Sequence, residues 1–387
     1  MPSVGPPSSW QREAALAPFP RVCERAVRGV EVLVVGAGLA GLAVARAFAA
    51  RGASVCVADA FGPGAGASGR NAGFVLACHP WDYPALRARL GPAGARAYLA
   101  LSARSHRILV ERYADGCDYR PCGSLALPVA GDEAEAERLE QAARLLAADG
   151  LACTWTDPPA GALAGFGRAL TIAGDAAVHP GKLVRRLAEG ITGVRGTVRR
   201  IDPERRIALL DDRRISFERA FVCAGGYAAR ILGAPHLRVA PKRAQVLAMG
   251  PVPPALGPVC YAGWGFDYFR QRPDGIVLAG GRRHLHEAAE NTDAPGPTVP
   301  VQLDLEQYVR RHLPFAAEAP IVARWAGTMA FSADDVPILA PVPGDGSPVW
   351  VLGGFTGHGL GLAFAYAEAA ADGPQDPLTA HRSPRRP

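Results

Sequence analysis

Residues 31–60 read EVLVVGAGLAGLAVARAFAARGASVCVADA, and the order of their parts decides the fold. Val32-Leu-Val-Val35 is a short unbroken apolar run, as expected of a strand buried on both faces of a parallel sheet. Gly36-x-Gly38-x-x-Gly41 turns the chain. Leu42 to Arg51 is Ala-rich and helical, and Gly52 ends it. Ser54-Val-Cys-Val-Ala58 is a second strand, closed by Asp59 and Ala60. Strand, glycine turn, helix, second strand and terminal acid together form a βαβ unit that binds a dinucleotide. Gly36 permits the tight turn, Gly38 lets backbone approach a pyrophosphate, and Gly41 lets helix and strand pack closely. The amides of Leu39 and Ala40, at the helix start, face the phosphates. Asp59 accepts the ribose hydroxyls and would repel a 2′-phosphate, which argues against NADP. The unit alone does not separate NAD from FAD.

The next stretch separates them. Residues 66–73 read GASGRNAG, one cation and one amide among six small residues. A nicotinamide dehydrogenase has no evident use for it here. A fold that threads an extended FAD through its middle needs chain with little side-chain bulk beside the cofactor. Ser68 and Asn71 offer hydrogen-bond groups, Arg70 a charge for the diphosphate or the flavin edge, and Gly69, Ala72 and Gly73 close approach.

The bulk properties agree with an enzyme of this kind. A chain of 387 residues, 49% hydrophobic and 20% charged, is long enough for two domains around large cores. The net charge of +6 is scattered, without a basic run that would track nucleic acid. The eight cysteines form no C-x-x-C, and several sit in apolar runs, so a reducing compartment is expected. His284 and His286 alternate as strand neighbours would, without further ligands, so no metal site is expected. Neither a signal peptide nor a membrane span is read from the chain, and a soluble cytoplasmic protein is the expectation.

Along the chain, residues 81–115 read as two helices parted by Gly91-Pro92. A strand at 124–128 and a helix at 132–148 follow, then a helix opened by His179-Pro180. Strands at 196–201, 207–210 and 220–223 return to the nucleotide layer. From 239 to 281 alternation dominates, with a hairpin turn at 273–275. Residues 286–300 read as a loop, 301–312 as a helix, 321–331 and 349–352 as strands. The expected fold is α/β, a Rossmann-type FAD-binding domain (30–84, 176–235 and 326–373) interleaved with a β-rich substrate domain of antiparallel sheet plus helices (85–175 and 236–325). An N-terminal arm (1–29) and a loose tail (374–387) flank them.

Five ordered motifs resemble the family of FAD-dependent amine and amino-acid oxidoreductases that includes glycine oxidase, D-amino-acid dehydrogenase, sarcosine oxidase and γ-glutamylputrescine oxidase. They are residues 31–60, GASGRNAGFV (66–75), FVCAGGYAARIL (221–232), DYFRQRPDGIVLAGG (267–281) and GFTGHGLGLAFAYA (354–367). Residues 66–75 and the arm containing Ser9-Trp10 resemble the γ-glutamylputrescine oxidase branch. The resemblance implies that Val198 contacts adenine through its backbone and that Ala224 and Gly225 pack beside the diphosphate. It also implies that Gly354, Phe355, Thr356, Gly357, His358, Gly359 and Leu360 close over the flavin. Helix-start amides there would stabilise the negative N1–C2=O edge of reduced flavin. His358 either adds a donor or contributes only its backbone.

Enzymes of this family move a hydride from a carbon bearing nitrogen to flavin N5, and the imine hydrolyses. The resemblance therefore implies an amine as substrate, and oxygen or another acceptor as electron sink. D-amino-acid or N-methyl-amino-acid oxidation, and flavin binding without turnover, are the alternatives. Glycine-oxidase-like enzymes carry W-A-G-x-R, whose Arg grips a carboxylate; this chain has Trp325-Ala-Gly-Thr-Met329. The flavin-linking cysteine of sarcosine oxidases is absent, so FAD is expected to be noncovalent. Val277 stands at the place of their oxygen-activating lysine, which leaves oxidase and dehydrogenase both open. The candidate substrate-side residues are His358, Tyr268, Trp325 and Met329. Aromatic residues 261, 264, 266, 268, 269, 325 and 331 are the candidate cage for an alkylamine. Arg270 is read as either a distal carboxylate ligand or a solvent-facing cation.

Overall fold

The computed structural model describes residues 5–20, 29–79 and 81–373. The expected tail, Cys23 and part of the expected arm lie outside them. Two eight-stranded sheets organise the chain. The first runs in the order 338–341, 349–353, 213–222, 29–35, 55–59, 193–195, with strands 198–202 and 207–210 joined to 213–222 off this path. The strands Gly29–Val35, Val55–Asp59, Gly193–Arg195, Arg213–Val222 and Val349–Gly353 are mutually parallel where they pair. The apolar run Val32–Val35 is buried on both faces. Val32 and Val34 pack with the helix Leu39–Ala49 and the helix Gly359–Asp372. Leu33 and Val35 pack with Val222, Ile338 and Val351 on the other side. Because neighbouring strands run parallel, their C-terminal ends share one edge, where ligands bind in open α/β sheets.

The second sheet runs in the order 321–331, 240–249, 277–280, 267–271, 259–262, 124–127, 169–172, 154–156. Its two faces have different partners, as the period-2 alternation requires. Leu247, Met249, Phe269, Val277 and Ala279 pack on Val301, Leu305 and Val309 of the helix Val299–His312. The opposite face presents Tyr261, Tyr268, Arg270, Leu278, Trp325 and Met329. It joins the first module through a cluster of Trp10, Val246, Leu278 and Trp325. Strand Ile321–Phe331 spans the expected domain boundary at 325–326 and ties the two sheets by the bridge of Phe331 with Phe355.

Several sequence-based expectations meet their local physics here. The long helical stretch Tyr83–Arg112 breaks at Gly91, whose φ of 71° leaves the helical region one residue before Pro92. The hairpin closes with the Gly275 amide donating to Arg272 O. His284 and His286 are not strand neighbours: they lie in the 3-10 turn Arg283–His286, because Arg282 in the left-handed region turns the chain out of the sheet. The supposed loop after it contains a short helix, Glu287–Glu290.

Candidate functional site

At the shared edge, each glycine of the first turn has its own constraint. Gly36 has φ of 111°, and a Cβ there would stand 2.5 Å from Cys223 O. At Gly41 a Cβ would fall 1.9 Å from Gly36 O. Gly38 is different: its added Cβ would meet only the Ser68 hydroxyl, at 3.0 Å. The Leu39 amide donates to Ser68 Oγ at 2.8 Å, so Ser68 stands over the helix N-terminus. The Ala40 and Gly41 amides find no acceptor among the described residues, leaving an anion-ready helix end. Asp59 Oδ2 accepts from Ala37 N, and Oδ1 from Phe61 N and Gly62 N, all at 2.8 Å. Burial raises its pKa against the pull of these bonds. Ala60 follows it, half-buried.

Beside this turn, at the ends of the next strands, lie Ala224 and Gly225, then Gly354. Neighbouring strands lie about 4.8 Å apart, so three steps carry this edge roughly 14 Å from Asp59 to Gly353. Gly353 is buried, yet a Cβ on it would meet nothing within 4 Å. Gly66 and Gly225 are equally free of neighbours on that side, and Gly357 and Gly359 meet only atoms at 3.9 Å. A buried glycine with open space at its Cβ is a cradle that packing alone does not require. Val198 opens the hairpin strand Val198–Asp202, paired with Leu210, two residues after Gly196, whose amide donates to Asp59 O.

The GASGRNAG segment is braced from several sides. Asn71 donates to Ala67 O and Ser68 O and accepts from Gly73 N. Gly69 is packed so that a Cβ would meet Gly64 O at 2.3 Å, and at Gly73 one would meet Val178 O at 2.2 Å. The Arg70 guanidinium donates to Ala65 O, Pro6 O and Ala326 O at 2.8–3.0 Å. The structure thus places that charge among backbone carbonyls, where burial lowers its pKa. Arg270 is not the solvent-facing cation of the second expectation. It is 3% exposed, donates to Ala72 O, Gly73 O and Val178 O, and its pKa is pushed down to about 10 by burial. The arm adds a second clamp: Ser8 Oγ donates to Gly69 O, Trp10 Nε1 to Asn71 O and Gln11 Nε2 to Gly64 O. Trp325 is fully buried and donates its indole N–H to Arg70 O at 2.8 Å. It supports this segment from below.

The closing turn gathers two of the four substrate-side candidates, His358 and Met329; Tyr268 lies beyond His79 and Tyr261, and Trp325 stays under residues 66–73. Thr356 N donates to Ala330 O and His358 N to Phe355 O, at 2.9 and 2.8 Å. Among the described residues no acceptor faces the Gly357, Gly359 and Leu360 amides. His358 Nδ1 lies 3.0 Å from Thr356 O. A carbonyl only accepts, so Nδ1 carries the proton and Nε2 is a lone pair, buried without a partner. Burial, with His79 beside it, pushes the His358 pKa down to about 4, and the ring is neutral at pH 7. The side chain therefore offers an acceptor, and the turn's donors are backbone amides.

Met329 Sδ would lie 3.9 Å from a Cβ on Gly357, so Met329 faces the closing turn. Tyr261, Tyr268 and Phe74 meet edge to face or tilted, with centroids 5.4–6.1 Å apart. Burial pushes the Tyr268 phenol up to about 12. Of the seven aromatic residues, Tyr261, Tyr268, Trp325 and Phe331 share this face, whereas Phe269 lies in the helix-packed core. Trp264 and Phe266 stand exposed in the turn between strands 259–262 and 267–271. Val277 is also in the helix-packed core, so its side chain points away from the closing turn.

His79 had no signal in the sequence. It stands alone in a loop, and only the folded chain sets it 5.2 Å from Tyr261 and 5.4 Å from His358, ring to ring, with Nδ1 2.8 Å from Asp82 Oδ2. Cys78, Cys117, Cys122, Cys153, Cys223 and Cys260 form no disulfide. Among the described residues no cluster of three His, Cys, Asp or Glu could hold a metal, and no helix is long and apolar enough to cross a membrane. A groove of about 450 Å³ between residues 128–144 and 155–168 lies at the far end of the second sheet from Ile321–Phe331.

The donor set, the open cradle at Gly38 and Gly353 and the unpartnered Nε2 of His358 fit FAD. Comparison with known proteins agrees. The family model described as FAD dependent oxidoreductase (DAO) matches residues 31–373. Glycine oxidase of Pseudomonas aeruginosa is 29% identical over 357 residues, 88% of this chain and 93% of that protein. The tRNA 5-methylaminomethyl-2-thiouridine biosynthesis bifunctional protein MnmC of Maricaulis maris is 28% identical over 88% of this chain, which spans 51% of its length. The crystal structure of glycine oxidase from Geobacillus kaustophilus superposes with a TM-score of 0.77 at 20% identity, covering 89% of this chain and 94% of that one.

Proposed function

We propose, for a chain that belongs to the DAO family of FAD-dependent oxidoreductases, that it oxidises the C–N bond of a primary or secondary amine. The observation that carries this reading is the closing turn itself: amides at Gly357, Gly359 and Leu360 without an acceptor among the described residues, beside Met329 and an aromatic face. Bound noncovalently, FAD supplies the two-electron acceptor at the amine carbon, and the imine product hydrolyses. The amides of the 354–360 turn stabilise negative charge that develops against them. Tyr261 and Tyr268 orient the amine and keep water away, and both phenols stay protonated because burial raises their pKa. A neutral His358 leaves the amine free to arrive uncharged, so orientation and desolvation carry most of the rate. Met329 cannot form the bidentate pair that grips an α-carboxylate. Ser68, with the Ala40 and Gly41 amides, holds the diphosphate, and Asp59 the ribose.

Within the family we place the chain on the γ-glutamylputrescine oxidase branch, supported by residues 66–75 and by the arm that clamps them. A cytoplasmic location and electron transfer to oxygen or another acceptor complete the reading. The second reading, oxidation of a D- or N-methyl-amino acid, is favoured by the similarity to glycine oxidase. Anaerobic flavin bleaching against alkylamines, N-methyl amino acids and D-amino acids separates the two. Bleaching by amines alone supports the first reading. Bleaching by α-amino acids alone replaces it with the second, and no bleaching by any of them leaves a flavin-binding protein without turnover.

A further inference from the structure

An alkylamine at neutral pH is almost wholly ammonium. With an ordinary pKa near 10.4, only about one molecule in 2,500 is neutral at pH 7. An ammonium has no lone pair to assist loss of hydride from the adjacent carbon. Either the proton leaves inside the site, or the enzyme draws on the rare neutral form, at a loss of about three orders of magnitude in apparent affinity. The site therefore has use for a proton acceptor, and His79 has the position of one.

The turn that carries His79 is built locally. Asp82 N and Tyr83 N donate to His79 O at 3.2 and 3.1 Å, opening the helix Tyr83–Arg112. That turn returns the Asp82 carboxylate to the ring, with Oδ2 2.8 Å from Nδ1. Upstream the segment is fixed. Ala77 N donates to Asp175, and a Cβ on Gly361 would stand 2.4 Å from Leu76 O, so the chain leading to His79 is pressed onto the helix that follows the closing turn. The imidazole consequently lies 5.4 Å from the His358 ring and 5.2 Å from that of Tyr261. A Cβ on Gly265 would fall 1.9 Å from its Cε1 and 2.0 Å from its Nε2, so the glycine leaves that edge uncovered. The His79 side chain is 10% exposed and that of Asp82 68%. The pair thus runs from the aromatic face of the site to solvent.

Imidazole gains and loses a proton near neutrality, as such a step requires. His79 Nδ1 makes no aligned hydrogen bond, so the pair is held chiefly by charge. Desolvation would raise the Asp82 carboxyl, but the His79 charge outweighs it and holds the group down at about 2. The carboxylate is therefore ionised throughout and favours a proton on the ring. The other titratable groups near the pair are poorer acceptors. His358 at about 4 is too weak a base. The Tyr98 and Tyr261 phenols and the Cys78 thiol are held protonated by burial. Arg138 and Arg283 have no lone pair. Asp335, exposed and raised by desolvation and by the Asp82 charge, is the competing carboxyl.

We propose that His79, backed by Asp82, accepts the proton of the substrate ammonium and passes it to solvent. One ammonium N–H bond breaks and one imidazole N–H bond forms, at Nε2, with no change in total charge. The carboxylate offsets the positive charge that has moved from amine to ring, and the neutral amine is the species oxidised. This rests on the amine-oxidation reading, which needs such a step but not this residue.

The test uses the FAD-loaded protein. Anaerobic flavin reduction by butylamine gives a second-order rate from pH 6 to 11. Nitrogen-15 tert-butylamine, which has no hydrogen on the carbon bearing nitrogen, reports the protonation of a bound amine by NMR without turnover. The parent rate should reach its plateau at least two pH units below the pKa of the amine. In His79→Gln the rate should be lower by roughly thirtyfold or more at pH 7 and rise tenfold per pH unit until about pH 10, where the two profiles meet. Asp82→Asn should lie between them, Asp335→Asn should follow the parent, and free imidazole should restore part of the His79→Ala rate. Bound tert-butylamine should be neutral at pH 7 in the parent and an ammonium in His79→Gln. Flavin absorbance shows that each variant is folded and loaded. A His79→Gln deficit that is equal at every pH overturns the proposal, as does a parent profile that itself climbs to pH 10. Neutral bound tert-butylamine without flavin reduction by butylamine keeps the proton acceptor and removes the oxidation reading; flavin reduction with a parent-like profile in His79→Gln does the reverse.

Discussion

A glycine can be required by the protein or by what the protein holds, and the first turn contains both kinds. At Gly41 a Cβ would fall 1.9 Å from Gly36 O, backbone that cannot move aside. At Gly38 it would meet only a hydroxyl at 3.0 Å, which a rotamer change relieves. Gly41→Ala should therefore lower the thermal midpoint of the apoprotein itself, whereas Gly38→Val should leave the apoprotein folded and empty of flavin. Absorbance of the purified variants, with apoprotein melts, separates the two; full flavin content in Gly38→Val would misplace the phosphates. The motif spacing carried both positions in the sequence, because a strand–turn–helix is local. For Arg270 the motif gave the strand but not the surroundings, since what a strand face meets is settled only when the sheets assemble, and there its side chain is buried on the carbonyls of Ala72, Gly73 and Val178. Asp175 is another residue that only the fold exposes to argument. It is 1% exposed, accepts from Ser124 Oγ and Ala77 N, and burial pushes its pKa up to about 7 from 3.8. A carboxyl with a raised folded pKa favours the protonated native state. Stability is therefore fully present below about pH 4 and is lost as pH rises toward 7, by roughly 2–4 kcal/mol. Asp175→Asn keeps an acceptor for Ala77 and a donor for Ser124. Urea midpoints of that variant should stay level from pH 4 to 7 while the parent's fall, and parallel profiles would contradict the assignment.

Among the elements, the short helix Ser9–Glu13 does more than its length suggests. Its capping box closes on Ser8 and Gln11, and its Trp10 is 1% exposed. A Cβ on Gly181 would stand 2.4 Å from Trp10 O, so the helix is pressed onto helix Pro180–Ala188. Glu13 pairs with Arg272 at 2.8 Å. Through Ser8, Trp10 and Gln11 this element holds the loop on which the FAD diphosphate reading depends. Removing residues 1–14 should leave both sheets intact and weaken FAD binding by tenfold or more. Trp10→Ala, a deletion that in cores costs roughly 3–5 kcal/mol, should act in the same direction. Flavin fluorescence titration beside far-UV circular dichroism reads both effects, and unchanged affinity in the truncated protein would reduce the arm to a passive cover. In the first sheet the strands at 29–35, 55–59, 207–210 and 349–353 were readable as apolar runs, whereas 193–195 and 338–341 were not read and 213–222 was read only at its end; strand 321–331 was readable to its ends. The arm's docking was not, because a five-residue helix takes its stability from tertiary contacts rather than from propensity.

For the whole molecule, connectivity decides how it unfolds. The first sheet draws strands from residues 29–59, 193–222 and 338–353, and the second from 124–172 and 240–331. Neither sheet is continuous in sequence, so neither can form without closing loops through the other. The shared cluster of Trp10, Val246, Leu278 and Trp325, with the Phe331–Phe355 bridge, couples them further. The two expected domains should therefore melt together, as one cooperative unit. Unfolding entropy near 2.1 cal/mol/K per residue gives this chain about 0.8 kcal/mol/K. FAD at about one hundred times its dissociation constant adds roughly 2.7 kcal/mol, so the midpoint should rise by about 3 °C with a single transition throughout. Calorimetry and circular dichroism with and without added FAD measure this. Two resolved transitions, of which FAD moves only one, would show that the interleaved sheets hold their cores independently and that the cofactor rests on the first alone.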